Sequence, residues 1–322
     1  MHQTICRWLA FGLALLCCIL PLLAVHAADE TPASTTEPEV TEAAPPEVSF
    51  DEALILHVLT ANGVREMDLH SYLCGVLLAE MPAGFSPEAL KAQAVASRTF
   101  ALQQAQRGKH PEADICTDAA CCQGWAAPDA APDVFLQAVA ATDGLVVTYG
   151  DELIEATFFS CSGGQTEAAV AVWGSDVPYL QSVSSPGEES APRFTETVRQ
   201  SAEEFAAILR AAQPELDLES DPSRWFGSLT RTAGGSVATL EIGGILFSGT
   251  QLRTLLGLRS TDMEFSVEGN VICITTWGYG HRVGLSQYGA EAMAQTGADF
   301  EEILLHYYQN TKIKRLFLAE QP

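Results

Sequence analysis

Hydrophobic and polar positions form a hairpin pattern where the folded part of the chain begins. Residues 55–59 and 64–67 are rich in strand-forming residues, and Asn62-Gly63 lies between the two runs. Asn-Gly is a preferred central pair of a two-residue β-turn. The pattern therefore predicts a β-hairpin over residues 55–67.

The pattern then changes to a helical period over residues 69–81. Asp68 can cap the first turn of this helix, and the proline after Met81 ends it. Four residues share one face of the predicted helix: Leu73, Val76, Leu77 and Glu80. A glutamate in the last turn of an apolar face is unusual, and it becomes the first candidate for chemistry.

A second helix is predicted from Pro87 to Arg107. Ser86 can cap it, proline suits its first position, and Gly108 follows its end. Further along, the pattern predicts helices at 134–142, 201–212, 248–256 and 301–308, strands at 144–149, 153–160 and 271–276, and a turn at Gly243-Gly244. Helices and strands alternate irregularly, which favours an α+β fold with short strands around a substrate cleft.

The chain divides into three segments by composition. Residues 1–27 contain Arg7, an apolar run and the ending Val25-His26-Ala27, a pattern typical of a cleaved signal peptide or of one membrane anchor. Residues 28–48 are rich in Thr, Glu and Pro and are expected to form a disordered linker. Residues 49–322 form the folded domain, in which 185–260 could be a subdomain. The protein is therefore expected outside the cytoplasm, secreted or anchored.

Composition narrows the function classes. The chain has 17 Lys+Arg against 41 Asp+Glu, a formal net charge of −24. Nucleic-acid binding requires a basic footprint, so the charge excludes a nucleic-acid partner. The hydrophobic fraction of 47% excludes a wholly disordered chain.

Glu80 is the strongest catalytic candidate in the sequence itself. Partial burial and the negative end of the helix dipole both favour its neutral form, which a general acid requires. An ordinary glutamate turned toward solvent is the alternative. Lys91 and Arg98 lie seven residues apart on one face of the next helix. They could contact carboxylates of a substrate, or be surface charges.

A cluster of metal-binding residue types lies in the predicted loop 109–129. His110, Cys116, Cys121 and Cys122 supply one imidazole and three thiols, which would complete a tetrahedral structural zinc site. Disulfides are the competing interpretation for an exported protein. Adjacent cysteines do not easily pair with each other, so Cys116 or Cys161 would then be the partner.

Four segments of the sequence resemble one known family. They are LCGVLLAEMPAGFSPEALKAQAVASRTFAL at 73–102, FFSCSGGQTE at 158–167, WGYGHRVGLSQYGA at 277–290 and EEILLHYYQNTKI at 301–313. Their order and content resemble stage II sporulation protein D and its amidase-enhancer relatives. The resemblance covers roughly residues 48–317, which is most of the chain.

The resemblance implies a peptidoglycan lytic transglycosylase of engulfment that prefers glycan strands without stem peptides. Glu80 would be its acid and base, and the sugar's own 6-hydroxyl would give a 1,6-anhydro product. It implies an amidase and a membrane scaffold as partners, and one structural zinc at most as cofactor. The residues expected to bind substrate are Lys91, Arg98, Ser160, Ser162, Gly163, His281 and Gln287. A non-catalytic module that binds peptidoglycan and enhances an amidase is the alternative.

One position departs from the family's pattern. Arg282 follows His281 where the family usually has glycine, and a positive φ there would be costly for arginine. The side chain could instead hold the lactyl carboxylate of a peptide-free strand. Lys91, Arg98, His281 and Arg282 are together expected to make the cleft locally basic.

Overall fold

The computed structural model describes residues 49–318. The predicted signal or anchor at 1–27 and the predicted linker at 28–48 lie outside these residues. Within 49–318, none of the helices has the length and apolar character needed to cross a membrane.

The described residues form nine α-helices and fourteen strands. The helices are α1 (Phe50–Ala53), α2 (Leu69–Glu80), α3 (Pro87–Arg107), α4 (Asp133–Ala141), α5 (Ala169–Trp173), α6 (Ala202–Ala212), α7 (Gly249–Leu255), α8 (Gln287–Gln295) and α9 (Phe300–Tyr307). The strands are β1 (Ile55–Thr60), β2 (Gly63–Asp68), β3 (Ile115–Cys116), β4 (Leu145–Tyr149), β5 (Glu152–Leu153), β6 (Phe158–Phe159), β7 (Thr195–Ser201), β8 (Phe226–Arg231), β9 (Val237–Ile242), β10 (Ile245–Ser248), β11 (Asp262–Glu268), β12 (Val271–Trp277), β13 (Leu285–Ser286) and β14 (Lys312–Arg315).

The strands are distributed over five small sheets. Their strand orders are β2-β1-β3, β14-β4-β5, β13-β6, β11-β12-β7 and β10-β9-β8. The mixture of helices with small, mostly antiparallel sheets confirms the predicted α+β class. The hairpin is also confirmed, with Thr60 opposite Gly63 beside the turn.

Helix α3 is the centre of the first hydrophobic core. It packs against α2, α4, α8, α9 and β4. Small residues allow this close approach, because alanines at 89, 92, 94, 96 and 101 are all fully buried. Gly108 ends the helix in the left-handed conformation, as its position predicted. Ser86 precedes the helix as expected, but its side chain donates to Glu291 instead of capping α3.

A buried ion pair connects helix α1 to the first hydrophobic core. Arg98 of α3 is fully buried and donates through Nε to Asp51 Oδ1 at 2.8 Å and through Nη1 to the carbonyl of Leu145 at 3.1 Å. Asp51 lies in α1, which the hydrophobic pattern did not predict. The pair therefore joins α1, α3 and β4.

A second hydrophobic core lies in the later half of the chain. It is formed by buried residues of α6, α7 and the strands β9 to β12, from Ala202 to Ile274. The predicted helix at 201–212 is present and begins with a capping box between Ser201 and Glu204. The core extends beyond residue 260, the limit expected for the subdomain, because β12 pairs with both β11 and β7.

One predicted strand is divided in the structure. Residues 153–160 form the end of β5 and the separate strand β6, which pair with β4 and β13 respectively. Between them, the backbone N–H of Glu155 donates to the Tyr179 hydroxyl. The chain thereby changes sheets, which brings Phe158, Phe159 and Ser160 to the edge of a cleft.

Candidate active site

A cleft of about 870 Å³ contains Glu80. Residues of α2, α3 and α7 and of the segments 155–160 and 279–281 contribute to its lining. The charged and polar side chains in the lining are Glu80, Gln104, Arg107, Lys109, Glu155, Thr157, Ser160, Arg253, His281 and Gln287. Of the residues predicted to act on substrate, the cleft thus brings together Glu80, Ser160, His281 and Gln287.

Glu80 is the last residue of α2 and is only partly buried. Its Oε1 accepts a hydrogen bond of 2.8 Å from the backbone N–H of Gly124, and its Oε2 lies 3.5 Å from Gln287 Nε2. The loop at Gly124 therefore holds one carboxylate oxygen, and the first residue of α8 lies beside the other. This fixes the direction of the carboxyl group while leaving it accessible from the cleft.

Gly124 is required by the close approach of the loop to Glu80. A Cβ at this position would lie 2.6 Å from Glu80 Oε1, which is closer than van der Waals contact allows. The neighbouring Gln123 fixes the loop, because it accepts from the Tyr72 hydroxyl and donates to the carbonyl of Ser97. No pattern in the sequence indicated this contact between the cysteine-containing loop and Glu80.

His281 lies in the cleft between two aromatic rings. Its ring centroid is 5.4 Å from that of Trp173 and 5.6 Å from that of Phe159. Burial, and then the nearby positive charge of Arg253, lowers the pKa of His281 to about 4. Its Nδ1 accepts from the backbone N–H of Val283 at 3.1 Å, so the neutral ring carries its proton on Nε2. His281 is therefore a neutral hydrogen-bond donor at neutral pH.

The buried carboxylate of Glu188 holds the turn at Ser162 and Gly163, which follows the cleft-lining Ser160. Glu188 Oε2 accepts from the backbone N–H and hydroxyl of Ser162 and from the N–H of Gly163, at 2.6, 2.7 and 3.0 Å. Ser162 is fully buried, and Gly163 forms a turn with φ of +88°. Neither Ser162 nor Gly163, both expected to bind substrate, lines the cleft, and the hydroxyl and N–H of Ser162 and the N–H of Gly163 are bound by Glu188. Glu188 also accepts from Ser286, which caps the helix that begins with Gln287.

The two cations expected on α3 do not line the cleft. Burial of Arg98 against Asp51 excludes contact with a substrate. Lys91 pairs instead with Glu88 at 2.7 Å, and Glu88 also accepts from the backbone N–H of Phe300 at the start of α9. Lys91 and Arg98 lie on one face of α3, as their spacing predicts, but this face packs against other elements of the fold instead of lining the cleft.

Arg282 has a φ of +67°, so the positive φ considered for this position is present. Its side chain is fully buried and donates to Ser236 Oγ and to the carbonyls of Gln165 and Gly234, at 2.6 to 2.9 Å. Two carboxylates compensate its charge, Glu167 at 3.8 Å and Asp262 at 3.6 Å. The side chain joins segments of the structure and is not available to a lactyl carboxylate.

The cations that do line the cleft were not among the predicted site residues. They are Arg107, Lys109 and Arg253. Arg107 pairs with Glu155 at 3.0 Å, and Lys109 donates to the carbonyl of Cys121. The cleft also exposes Trp173 and Tyr279, which are 46% and 44% accessible. Tyr279 lies inside the segment 277–290 and could have been identified from it. Trp173 and Arg253 lie in no recognisable pattern.

The four predicted metal ligands come together beside the cleft. One ligand atom from each of His110, Cys116, Cys121 and Cys122 lies within 4.8 Å of all the others. His110 Nε2 is 3.2 Å from Cys122 Sγ and 3.8 Å from Cys121 Sγ, and the two sulfurs are 4.0 Å apart. The edges of a tetrahedral zinc site with these donors are about 3.6–3.8 Å, so the set fits zinc. All six cysteines of the described residues are free thiols.

The sequence is similar to proteins of one family. The family model described as "Stage II sporulation protein" matches residues 59–149. Stage II sporulation protein D of Bacillus subtilis (strain 168) is 39% identical over 270 residues, covering 79% of this chain and 77% of that protein. The protein of the same name from Bacillus amyloliquefaciens is 40% identical over 268 residues, with 78% and 76% covered. The amidase enhancer of Bacillus subtilis (strain 168) is 29% identical over 299 residues, with 75% and 40% covered.

Proposed function

Because the chain belongs to the stage II sporulation protein D family, we propose that it is a peptidoglycan lytic transglycosylase acting on glycan strands without stem peptides. The family supports a cell-wall-related role in sporulation, and the proposed stage is engulfment. The protein would act outside the cytoplasm, where its substrate lies, with residues 1–27 as signal peptide or anchor.

The observation that carries this proposal is the single available carboxyl group in the cleft. Glu80 is oriented by Gly124 and Gln287 and is accessible from the cleft. Glu155 is the other carboxylate among the described lining residues, and it is engaged by Arg107 at 3.0 Å. Glycosidases with an external nucleophile commonly use two free carboxyl groups. One free group instead suits an intramolecular nucleophile, as in a transglycosylase.

In the proposed reaction, Glu80 first donates its proton to the glycosidic oxygen, and the bond from this oxygen to the sugar's anomeric carbon breaks. The anomeric centre develops oxocarbenium character. The ionised Glu80 then accepts the proton of the 6-hydroxyl of the same sugar, whose oxygen bonds to the anomeric carbon. The product is a 1,6-anhydro sugar, and Glu80 regains its proton.

The other cleft residues would bind and orient the strand. The Nε2–H of neutral His281 can donate to a sugar oxygen, but this ring does not serve as an acid at neutral pH. Exposed aromatic rings such as Trp173 and Tyr279 offer flat apolar faces for the C–H side of a sugar. Ser160 adds a hydroxyl at the edge of the cleft.

Product analysis on peptide-free strands tests this proposal. Wild-type protein should release products with 1,6-anhydro ends, and Glu80→Gln should lose this activity because it can neither donate nor accept the proton. Glu215→Gln, an exposed position outside the cleft lining, is the matched control and should keep full activity. Equal activity of Glu80→Gln and wild type would refute the catalytic role.

A second candidate function is a non-catalytic module that binds peptidoglycan and stimulates an amidase. Similarity to an amidase enhancer supports this alternative. It predicts that Glu80→Gln still binds strands and still stimulates a peptidoglycan amidase, and that wild type releases no anhydro products. The two functions are therefore separated by the same pair of proteins.

We also propose that His110, Cys116, Cys121 and Cys122 hold one structural zinc ion. Zinc with four protein ligands would stabilise the loop and leave no open position for a substrate. This loop continues directly to Gly124, which binds Glu80. Metal analysis should give one zinc per chain, and a chelator should lower the thermal unfolding temperature. Disulfide bonds found by mass analysis between these cysteines would contradict the zinc site.

A further inference from the structure

Arg253 is the cleft cation without a carboxylate partner. It lies in α7, next to Leu252, which is fully buried in the second core. None of the described carboxylates forms an ion pair with it, and burial lowers the pKa of its guanidinium. In contrast, the other two cations of the lining are held by Glu155 and by the carbonyl of Cys121.

Among residues 49–318, four arginines form no ion pair with a carboxylate: Arg65, Arg210 and Arg315 are exposed to solvent, whereas Arg253 is partly buried. The sequence has 41 acidic residues against 17 basic ones, so most arginines can find a carboxylate. Removing a cation from water without a partner costs free energy. Such a cost is characteristic of binding sites, where the compensating charge arrives with the ligand.

The surroundings of Arg253 are suited to an anionic sugar. Its charge acts on His281, whose ring lines the same cleft and offers an Nε2–H donor. Tyr279, which adds an exposed ring, is covered on one side by the guanidinium of Arg259 at 3.8 Å from the ring centroid. An arginine can donate two parallel hydrogen bonds to a carboxylate.

We propose that Arg253 forms a carboxylate-binding subsite of the cleft, which takes a carboxylate of the peptidoglycan strand and so selects the sugar to be cleaved. This inference rests on the proposed function for its substrate class. Peptidoglycan offers two sources of carboxylate. One is the lactyl group of the muramic acid ring, which is free only where the stem peptide has been removed. The other is the stem peptide itself.

The lactyl group is the expected source because it is attached directly to the sugar ring. A ring placed with its glycosidic oxygen near Glu80 carries this carboxylate with it. Arg253 would then contribute to the choice of strand, whereas Arg282, the cation suggested by the sequence, is enclosed by Glu167 and Asp262.

Binding measurements in the inactive Glu80→Gln protein test the subsite. Three strands are compared by calorimetry: a peptide-free strand, the same strand with its lactyl carboxyls methyl-esterified, and a strand with intact stem peptides. The peptide-free strand should bind about 10- to 100-fold more tightly than its ester, the range of a charge-assisted hydrogen-bonded pair. Adding Arg253→Gln should abolish this difference.

Two further variants control the result. Arg224→Gln removes the same charge from an exposed ion pair with Glu219 and should keep the full preference. Arg253→Lys keeps the charge but not the bidentate geometry, and should keep only part of it. The preference is a ratio measured within one folded protein, so a change in stability does not imitate its loss.

The outcomes separate the subsite from its alternatives. Arg253-dependent preference for the free lactyl strand supports the expected source, and Arg253-dependent binding of the peptide-bearing strand instead supports the subsite with the stem peptide as source. A difference among the three strands that is the same in Glu80→Gln with and without Arg253→Gln, or no difference among the three strands, overturns the proposal. If wild type releases no anhydro products while the preference persists, the transglycosylase function fails and the subsite stands.

Discussion

In the interior of the protein, Arg98 and Arg282 are fully enclosed with carboxylates and carbonyls, whereas in the cleft Arg253 has no carboxylate partner among the described residues. The first two lie within the motif-like segments of the sequence, and the third lies outside them. The difference shows that a residue in a recognisable segment can serve folding, while a residue in no pattern faces the cleft. Substitutions at Arg98, Gly124, Arg282 and Asp143 test this contrast, and the strongest effect is expected at Arg98.

Arg98→Leu tests the contribution of a buried arginine to stability, and it should have the largest effect. It leaves Asp51 buried without its partner, so the free energy of unfolding should fall by about 3–5 kcal/mol. Urea denaturation measures the loss. The double variant Arg98→Leu with Asp51→Leu removes both charges and should lose less than the single variant. A loss below about 1 kcal/mol for the single variant would place Arg98 among exposed pairs instead.

On the cleft side, Gly124→Ala should impair activity with little change in stability. The added Cβ would meet Glu80 Oε1 at 2.6 Å, and φ at this residue is not in the positive range, so the carboxyl group is displaced rather than the backbone. A displaced catalytic group can lower turnover about 100-fold. Initial rates and thermal unfolding are measured together. Gly84→Ala, where a Cβ meets nothing within 4 Å, should leave both unchanged.

Variants of Arg282 test whether its buried contacts stabilise the fold by more than its positive φ destabilises it. Arg282→Ala removes the hydrogen bonds and keeps an L-residue at φ of +67°, whereas Arg282→Gly removes the strain as well. Both variants should have a lower free energy of unfolding than wild type. The Arg282→Gly variant should be about 1 kcal/mol more stable than Arg282→Ala, because a positive φ costs glycine little. If the Arg282→Gly variant is more stable than wild type, the buried contacts of Arg282 do not stabilise the fold.

The smallest effect is expected at Asp143, which binds the start of α1. Burial opposes ionisation there, but hydrogen bonds from Asp51 N–H, the Ser49 hydroxyl and Phe50 N–H lower the pKa of Asp143 below its ordinary 3.8. The stabilisation is therefore complete above pH 3.8 and lost as pH falls through the lower native pKa. Asp143→Ala should cost about 1 kcal/mol at pH 7.

The pH dependence of that loss is the control for Asp143. Once the carboxyl group is protonated in both the native and the unfolded protein, wild type and Asp143→Ala should approach the same stability. A constant difference between them from pH 7 to pH 2 would show that the ionised carboxylate does not act through these hydrogen bonds. Unfolding by urea at several pH values measures it.

Local signals in the sequence predicted much of the fold. The Asn62-Gly63 turn, the Asp68 cap and the Gly108 helix end are all present, because each depends on neighbours within one or two turns of chain. The division of 153–160 between two sheets, and α1 held by Asp143, depend on residues far apart in sequence. No periodicity encodes such contacts.

The cleft was predictable to a similar extent. Glu80 and His281, which lie in distinctive segments of the sequence, line the cleft, but Ser162 and Arg98 from the same kinds of segment are buried. The orientation of a side chain depends on its tertiary partners, such as Glu188 and Asp51, which no motif specifies. Arg253 could only be recognised once the charges around it were known.

In the proposed mechanism, Glu80 is the only catalytic carboxyl group and the sugar supplies the nucleophile. Cleavage of peptide-free strands in water enriched in heavy oxygen tests this most directly, with products analysed by mass at early times. Wild type should release anhydro products, which are lighter by one water than hydrolysis products and contain no heavy oxygen. Products with heavy oxygen at the new ends would show that water is the nucleophile and would contradict the account.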